Sequence, residues 1–432
     1  MNKKNSIKSP VERMLTRLHV GCVHLQHHPL LYAAVLAYLI AICLVASAVM
    51  RPVTGDPLTV LAHNVNRALL PVYAIAGLLI LIVLFGFPKG AIKASRALAR
   101  AGITNAAGEA PMLLSMRHSQ KNKKLLQYEF DANGLPLSYW QDHQAEIEVA
   151  LNINIINIQC SRGKHRIWIF CVPASGAIPA FVELDTATIP ARDSELALGE
   201  GLAGQMRVDL AKTAHLLIAG NSGSGKTVLM RSLLYQAIEK SHQVYIIDFK
   251  GGIDYTKWWH KNCHLSYTEE SAVTTVKNLV EELNLRLQTL KVNDCNNIDT
   301  YREKCGIDWP RIIVAFDEIA EALDKTGADK DRKAYIAELE RCLTTISRLG
   351  RACGIHLIVG VQRPDVNAVP PQIKTNLSYR CCSRADNVLS MIALDNTRAA
   401  DEIPKDSQGR FIDCEGNIFQ AYYLDDNALP NH

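Results

Sequence analysis

The stretch His215–Met230, HLLIAGNSGSGKTVLM, restricts the possible folds more than any other part of the sequence. It fits the pattern G-x-x-x-x-G-K-[ST], with Gly220, Gly225, Lys226 and Thr227 at the defined positions. Glycines let the backbone curl until several N–H groups point at phosphate oxygens, and a following helix offers its positive N-terminal end. The stretch therefore predicts a strand, a phosphate-binding loop and a helix, in that order.

The residues around this loop support the same interpretation. Leu216–Ala219 is a short apolar run typical of a buried parallel strand, and the apolar residues after Thr227 recur at roughly helical spacing. In such a loop Lys226 reaches the β- and γ-phosphates, and the Thr227 hydroxyl is a ligand of Mg²⁺. The alternative is a glycine-rich turn without a ligand. The residues expected to hold a nucleoside triphosphate are Gly220, Asn221, Ser222, Gly223, Ser224, Gly225, Lys226 and Thr227.

A second acidic strand is needed for magnesium and water, and the sequence RIIVAFDEIAEAL contains one. Ile312–Phe316 is apolar, and Asp317 and Glu318 follow at its carboxyl end, where open α/β sheets bind ligands. Asp317 is placed to hold Mg²⁺, and Glu318 is placed to orient or deprotonate the attacking water. An exposed acidic pair at a helix start is the alternative interpretation.

Two further strands end in polar residues. Asp248 and Lys250 follow Val244–Ile247, and Gln362 follows Ile355–Val361. The Gln362 amide can donate to a phosphate and accept from water, so we expect it to sense the γ-phosphate. From residue 196 to 432 strands and helices alternate, which predicts a mostly parallel sheet with helices on both faces.

Two apolar segments near the N-terminus, 30–50 and 68–88, are each 21 residues long and carry no charge. Either could cross a bilayer core of about 30 Å, so we expect a transmembrane hairpin over 29–88 rather than a signal peptide or buried core helices. Lysine and arginine are frequent in 1–28 and 89–100, and the loop 51–67 has two. This bias places the tail 1–28 and the C-terminal part in the cytoplasm and the chain in the cell membrane.

Between the hairpin and residue 196 we expect two segments. Residues 89–124 are basic, which suits either a solvated linker beside anionic lipid or a guide for DNA. Residues 125–195 predict a small α/β domain with strands at Ile153–Ile158 and Arg166–Val172 and a helix at Tyr139–Leu151, capped by Ser138. The net charge of +4 is too small to identify a nucleic-acid binder by itself. The 12 cysteines form no C-x-x-C pair, which favours reduced thiols over zinc or disulfides.

Five ordered strings over residues 200–415 resemble the FtsK/SpoIIIE family of DNA-pumping motors: AHLLIAGNSGSGKT, YIIDFKGG, RIIVAFDEIAE, GRACGIHLIVGVQRP and VPPQIKTNLSYR. The resemblance implies a RecA-like fold, a homo-hexameric ring, and ATP-driven movement of double-stranded DNA through the pore without sequence specificity. It assigns ATP–Mg²⁺ binding to Gly225, Lys226 and Thr227. It also makes Asp317 and Glu318 the second acidic motif and Gln362 the sensor.

Members of this family that segregate chromosomes usually have four membrane spans, a long linker and a C-terminal winged-helix domain. The two spans expected here resemble instead the compact coupling proteins of Gram-positive conjugative elements, which would make a relaxase or transfer channel the partner. A chromosome-segregation motor, a type VII-like protein secretion ATPase and a nucleotide-binding scaffold without turnover are the alternatives. Single-stranded DNA also stays open as a substrate.

Ring motors complete each site with an arginine from the neighbouring subunit. Residues 332–349 predict a long helix ended by Gly350, with Arg348 in its last turn and Arg351 just beyond. Arg380 closes the strand region IKTNLSYR. Arg348, Arg351 and Arg380 are therefore candidates for this catalytic role. The alternative for the first two is that they only stabilise the C-terminal end of the helix.

Overall fold

The computed structural model describes residues 18, 29–51, 56–85, 88, 90–119, 125–161, 163–252, 255–362 and 369–429. The predicted tail 1–28, apart from residue 18, and the basic residues Lys89, Lys121, Lys123 and Lys124 lie outside them. The chain divides into two compact units, 1–176 and 177–432.

Two helices open the first unit: α1 is Pro29–Val49 and α2 is Pro57–Phe85. The second begins at Pro57 rather than near residue 68. The helices pack as a hairpin in which the Tyr38 hydroxyl donates to the Ala74 carbonyl at 2.9 Å. Within the part of the chain that is described, no helix meets the length and apolarity needed to cross a membrane. The transmembrane hairpin stays a prediction.

The remainder of the first unit is a four-stranded antiparallel sheet in the order β1-β2-β4-β3 with three helices. Its elements are α3 (Ala91–Arg100), β1 (Leu113–His118), β2 (Leu126–Asp131), α4 (Leu137–Asp142), α5 (Gln144–Leu151), β3 (Ile153–Cys160) and β4 (Arg166–Pro173). The two strands predicted from the sequence, at 153–158 and 166–172, are confirmed within two residues at each end.

The boundaries of this small domain differ from the expected 125–195. Helix α3 and strand β1 belong to it, although both lie in the segment expected to be a basic linker. Ala91 and Leu98 of α3 are buried in its core, while Lys93 and Arg96 are exposed. Basic residues on the solvent face of an amphipathic helix thus give the segment its charge. Residues 177–195 fall in the second unit.

The helix predicted at 139–151 is also different. It is two helices, because His143 ends α4 and precedes α5 with a backbone outside the helical range. Pro136 takes the N-cap position of α4, and Ser138 lies inside the helix rather than capping it. Trp140 and Ile147, one on each helix, are both fully buried, so the break lets two short helices cover one core.

The second unit has a ten-stranded sheet in the order β6-β5-β14-β13-β12-β7-β11-β10-β8-β9. Strands β12, β7, β11, β10, β8 and β9 are parallel neighbours, and the other four join them antiparallel. The strands are β5 (Glu195–Gly201), β6 (Gly204–Asp209), β7 (Leu216–Ala219), β8 (Gln243–Ile247), β9 (His264–Ser266), β10 (Ile312–Phe316), β11 (Ile355–Val361), β12 (Tyr379–Cys382), β13 (Arg410–Asp413) and β14 (Ile418–Ala421).

Helices cover both faces of this sheet. They are α6 (Lys226–Glu239), α7 (Lys257–Asn262), α8 (Glu269–Val292), α9 (Ile298–Cys305), α10 (Ile319–Ala322), α11 (Lys330–Leu349), α12 (Pro371–Lys374), α13 (Asn387–Leu394) and α14 (Arg398–Glu402). Val314 of β10 belongs to the core under α8 and α11, whereas its neighbour Ile313 belongs to the core under α6 and α7. This alternation explains why β7, β10 and β11 are apolar throughout. The predicted mostly parallel α/β fold is confirmed.

Candidate nucleotide site

The parallel strands end in register, and this brings the predicted site together. Ala219 at the end of β7 pairs with Val361 of β11 and Cys382 of β12. Phe316 at the end of β10 pairs with Val359 and Ile247. The residues that follow these strands therefore meet at one edge of the sheet. Here β7 lies between two strands that come later in the chain, which is the type of crevice where open α/β sheets bind ligands.

The loop after β7 has the backbone that its glycines permit. Gly225 has φ +100° and precedes α6, which begins at Lys226. A Cβ at Gly225 would lie 2.9 Å from the backbone nitrogen of Gly409, so a side chain would both strain this turn and collide. The Gly409 N–H donates to the Ser224 carbonyl at 2.9 Å. The segment before β13 thus holds the loop from one side.

Lys226 and Thr227 both contact Asp317, which the sequence placed about 90 residues away. Lys226 Nζ lies 3.2 Å from Asp317 Oδ1 and also donates to the Asp317 backbone carbonyl. The Thr227 hydroxyl donates to Asp317 Oδ1 at 2.9 Å. Gly360 permits this approach, because a Cβ there would overlap the Asp317 carbonyl and lie 2.9 Å from Lys226 Nζ.

Asp317 is buried among cations. Burial alone would raise its pKa, but the charge of Lys226 and the hydrogen bond and charge of Lys250 hold the pKa of Asp317 at about 2. Lys250 Nζ lies 2.8 Å from Asp317 Oδ2. Asp317 is therefore ionised at every physiological pH.

Glu318, the next residue, has the opposite environment. Burial raises the pKa of Glu318 above its ordinary value, although Lys226 partly opposes this. No donor in the described part of the chain makes a well-formed hydrogen bond to either carboxylate oxygen. The backbone N–H of Gln362 is nevertheless close enough to favour the ionised form. A buried carboxylate of raised pKa and without a firm partner is suited to accept a proton.

The oxygen donors at this edge fit a magnesium ion. The Thr227 hydroxyl and the Asp317 carboxylate lie together, and the oxygens of Glu318 are free of other firm partners. Magnesium prefers such oxygen ligands and is usually held in proteins by one or two carboxylates together with substrate phosphates. Thr227 and Asp317 would hold the ion.

A cavity of about 490 Å³ opens over the loop. Its volume is typical of a small-molecule site. It is lined by Phe181, Asn221, Ser222, Gly223, Ser224, Gly225, Lys226, Thr227, Val228, Lys250, Gln362, Gln408, Gly409, Gln420, Ala421 and Tyr423.

The three candidate arginines do not lie at this edge. Arg348 is exposed at the end of α11, and Arg351 donates to the Lys212 carbonyl before β7 at 3.3 Å, at the amino end of the parallel strands. Arg380 is the second residue of β12 rather than its last, and it forms an ion pair with Asp395 at 2.5 Å. None of them reaches its own phosphate loop.

Four contributors to the site were not predicted from the sequence. Arg384, two residues after β12, donates to the Ser222 carbonyl of the loop at 2.9 Å. Lys250 was noted as a residue that ends a strand, but not as the partner of Asp317. Phe181 and Tyr423 line the cavity from segments without any motif. Arg384, Lys250 and Tyr423 each follow a buried strand, which is a signal in the sequence, whereas Phe181 belongs to no helix or strand.

Fold and site together define the class of the P-loop ATPase domains: a strand, a phosphate loop and a helix, with a second acidic strand beside them. Residues 191–366 match the model of the FtsK/SpoIIIE family. The chain is also similar to the pCW3 conjugation coupling protein TcpA, solved in its monomer form with ATPγS, at 32% identity and a TM-score of 0.57 over 79% of this chain and 96% of that one. This chain belongs to the FtsK/SpoIIIE family.

Curated relatives match a smaller part of their own length. The DNA translocase FtsK of Campylobacter jejuni (strain 81-176) is 35% identical over 214 residues, which is 46% of this chain and 22% of the relative. The DNA translocase SftA of Bacillus subtilis (strain 168) is 32% identical over 196 residues, or 43% of this chain and 20% of SftA. This chain thus spans about a fifth of these relatives.

Proposed function

We propose that this chain is a membrane-anchored, ATP-driven DNA translocase that acts as a coupling protein in conjugative transfer. The observation that carries the ATPase part is the contact of Lys226 and Thr227, which line the cavity, with Asp317, the residue before Glu318. Membership of a family that includes proteins named DNA translocases supports DNA as the substrate. Similarity to a conjugation coupling protein over almost all of that protein's solved chain supports the conjugative role.

Each residue at the site has a defined task in this proposal. Loop N–H groups and Lys226 bind the phosphates, and Thr227 with Asp317 would hold magnesium, which neutralises charge on the transferred phosphoryl group. Glu318 accepts the proton of the attacking water, as its raised pKa favours. Gln362 lines the cavity, and its backbone N–H lies close to Glu318, so its side-chain amide can contact both the γ-phosphate and the water.

The ring and the membrane anchor are further parts of the proposal. Arg348, Arg351 and Arg380 lie away from their own phosphate loop, as an arginine that acts on a neighbouring subunit must. Exposed apolar side chains on α1 and α2, such as Leu36, Leu44 and Ile75, give these helices a surface suited to lipid. We propose that the hairpin 29–88 lies in the cell membrane, with the second unit in the cytoplasm.

The experiment is the ATPase rate of the full chain in lipid nanodiscs, measured with double-stranded DNA, single-stranded DNA and no DNA. We expect DNA to raise the rate and Lys226→Ala to abolish it with or without DNA. Stimulation by one strand type alone identifies the substrate. A rate that DNA leaves unchanged and a secreted peptide raises would instead indicate a protein-export ATPase. Loss of plasmid transfer in a strain that carries Glu318→Gln tests the conjugative role.

A further inference from the structure

The strand order places the two ends of the cavity on opposite sides of β7. Lys250 and Gln362 follow β8 and β11, which lie on the same side of β7 as the acidic strand β10. Gln420 and Tyr423 lie in or just after β14, on the opposite side of β7. A triphosphate on the loop has its γ-phosphate toward Glu318. Its nucleoside must therefore extend toward the β14 side of the cavity.

Two aromatic rings stand at that second end. Phe181 and Tyr423 have ring centroids 5.4 Å apart with their planes tilted by 46°. Phe181 is 62% exposed and Tyr423 is 38% exposed. Both line the cavity that contains the phosphate loop. We propose that Phe181 and Tyr423 form the base-binding subsite of the nucleotide site and stack on a purine base.

The backbone holds this aromatic pair in place, although Phe181 belongs to no helix or strand. The Tyr423 N–H donates to the Val182 carbonyl at 2.8 Å, and the Leu184 N–H donates to the Tyr423 carbonyl at 2.7 Å. Arg410 donates to the Pro179 carbonyl at 2.9 Å. The segment that carries Phe181 is thus tied to the end of the sheet on both sides of the ring. A ring positioned in advance loses little conformational freedom when it binds a base.

The cavity surface between the two aromatic rings and the phosphate loop is also formed by hydrogen-bonded groups. The Ala421 N–H donates to the Gly409 carbonyl at 2.7 Å, and the Gln420 side chain donates to the Gln408 carbonyl at 2.9 Å. Gly409 in turn contacts the phosphate loop through its N–H, as described above. One continuous hydrogen-bonded surface therefore connects the phosphate end to the aromatic end. An exposed phenylalanine at the rim of such a surface loses contact with water when a flat, apolar base covers it.

This inference rests on the proposed role of the loop in nucleotide binding, and the test separates the two. The affinities of the full chain for ATP and for inorganic tripolyphosphate are measured in wild type, Phe181→Ala, Tyr423→Ala and Lys226→Ala. Tripolyphosphate has the phosphates but no base. Tyr335→Ala, which removes an exposed aromatic ring from α11, is the matched control.

We expect Phe181→Ala and Tyr423→Ala to weaken ATP binding about tenfold, as loss of a stacked ring does for nucleic-acid bases, and to leave tripolyphosphate binding within about twofold. Lys226→Ala should weaken both ligands, and Tyr335→Ala neither. Phe181→Trp should keep ATP affinity and add tryptophan fluorescence that ATP quenches and tripolyphosphate does not.

Unchanged ATP affinity in both alanine variants would overturn the aromatic subsite while the phosphate site stands. An equal loss for ATP and tripolyphosphate would also overturn it, because the rings would then act only through the loop. Wild type that binds neither ligand would refute the nucleotide site itself and the subsite with it. DNA stimulation plays no part in this readout.

Discussion

Two adjacent carboxylates at the end of β10 have opposite environments, and this difference suits them to the different roles proposed for them. Asp317 is held ionised by Lys226 and Lys250, whereas Glu318 is buried without a firm partner. A carboxylate whose pKa is raised accepts a proton more readily near neutral pH, and a carboxylate held by cations is a better metal ligand. The sequence motif predicts a metal ligand in Asp317 and a base in Glu318, and the surroundings of the two carboxylates support that division.

The variant Glu318→Gln tests the role proposed for Glu318, because it replaces one carboxylate oxygen by an amide nitrogen. We expect ATP binding within about threefold of wild type and a turnover about 10²- to 10⁴-fold lower, because the amide keeps the shape and cannot accept the proton. Single-turnover hydrolysis and equilibrium nucleotide binding give the two values. Glu321→Gln, the same change one turn further on in α10, should leave both near wild type. Normal hydrolysis by Glu318→Gln would remove its assigned role.

A buried histidine, His215, links strand β11 to helix α11 at the amino ends of the parallel strands. His215 Nδ1 accepts from the Leu357 N–H of β11 at 2.9 Å, so Nε2 carries the proton and donates to the Ser347 carbonyl of α11 at 2.9 Å. Burial lowers the pKa of His215 to about 4. His356, buried nearby, also has a lowered pKa, chiefly because of burial. Protonation of His215 would break its bond to β11.

This arrangement predicts acid sensitivity of the sheet. Between pH 6.5 and about 4 the unfolded chain binds a proton at His215 and the folded chain does not, so the free energy of unfolding falls as pH is lowered through this window. The loss from this one group is up to about 3 kcal/mol. Chemical denaturation at pH 7 and pH 4.5 measures it.

The control for this prediction is a comparison of two histidine variants. His215→Asn should be less stable than wild type at pH 7 and should show a smaller fall between the two pH values. His264→Asn, at an exposed position on β9, should keep the wild-type fall. If His215→Asn keeps the full pH dependence, the buried histidine is not its source.

At the scale of the whole molecule, the candidate arginines predict shared sites between subunits. Alone, Arg348→Ala, Arg351→Ala or Arg380→Ala should bind ATP normally, because none of these residues reaches its own phosphate loop. If one of these arginines completes the site of a neighbouring subunit, the variant that lacks it should hydrolyse ATP more slowly by about 10³-fold or more. Mixed with Lys226→Ala subunits, it should recover part of the activity, since both defects can fall in one shared site and leave other sites intact.

Arg341→Ala is the matched control, because Arg341 is an exposed arginine on α11 that pairs with Glu338 at 2.9 Å. It should retain its activity in unmixed assemblies. An arginine variant that regains nothing at any mixing ratio, while its assemblies still form, has no role in a neighbour's site.

The predicted topology can be tested on intact cells. A membrane-impermeant maleimide should label Asp56→Cys, between α1 and α2, and should not label Lys240→Cys in the second unit. The wild-type chain, with its own cysteines, gives the baseline, and permeabilised cells show that both positions can react. Labelling of Lys240→Cys in intact cells would reverse the proposed orientation.

The sequence by itself determined the parts of this protein that depend on neighbouring residues. The phosphate loop, the apolar strands β7, β10 and β11, and the acidic pair after β10 are contiguous patterns, and each was predicted with its boundaries. A buried parallel strand must be apolar on both faces, and a phosphate loop must carry its glycines in order, so both leave a local signal.

Only the tertiary structure decided which distant residues meet. Lys250 contacts Asp317 on one side of β7, and Phe181 contacts Tyr423 on the other side. The order of the strands in the sheet brings each pair together. The limits of the small domain were wrong for a related reason, since the buried face of α3 is defined by the sheet beneath it and not by its charges. The contrasting pKa values of Asp317 and Glu318 likewise follow from burial and neighbouring charges, which are properties of the folded chain.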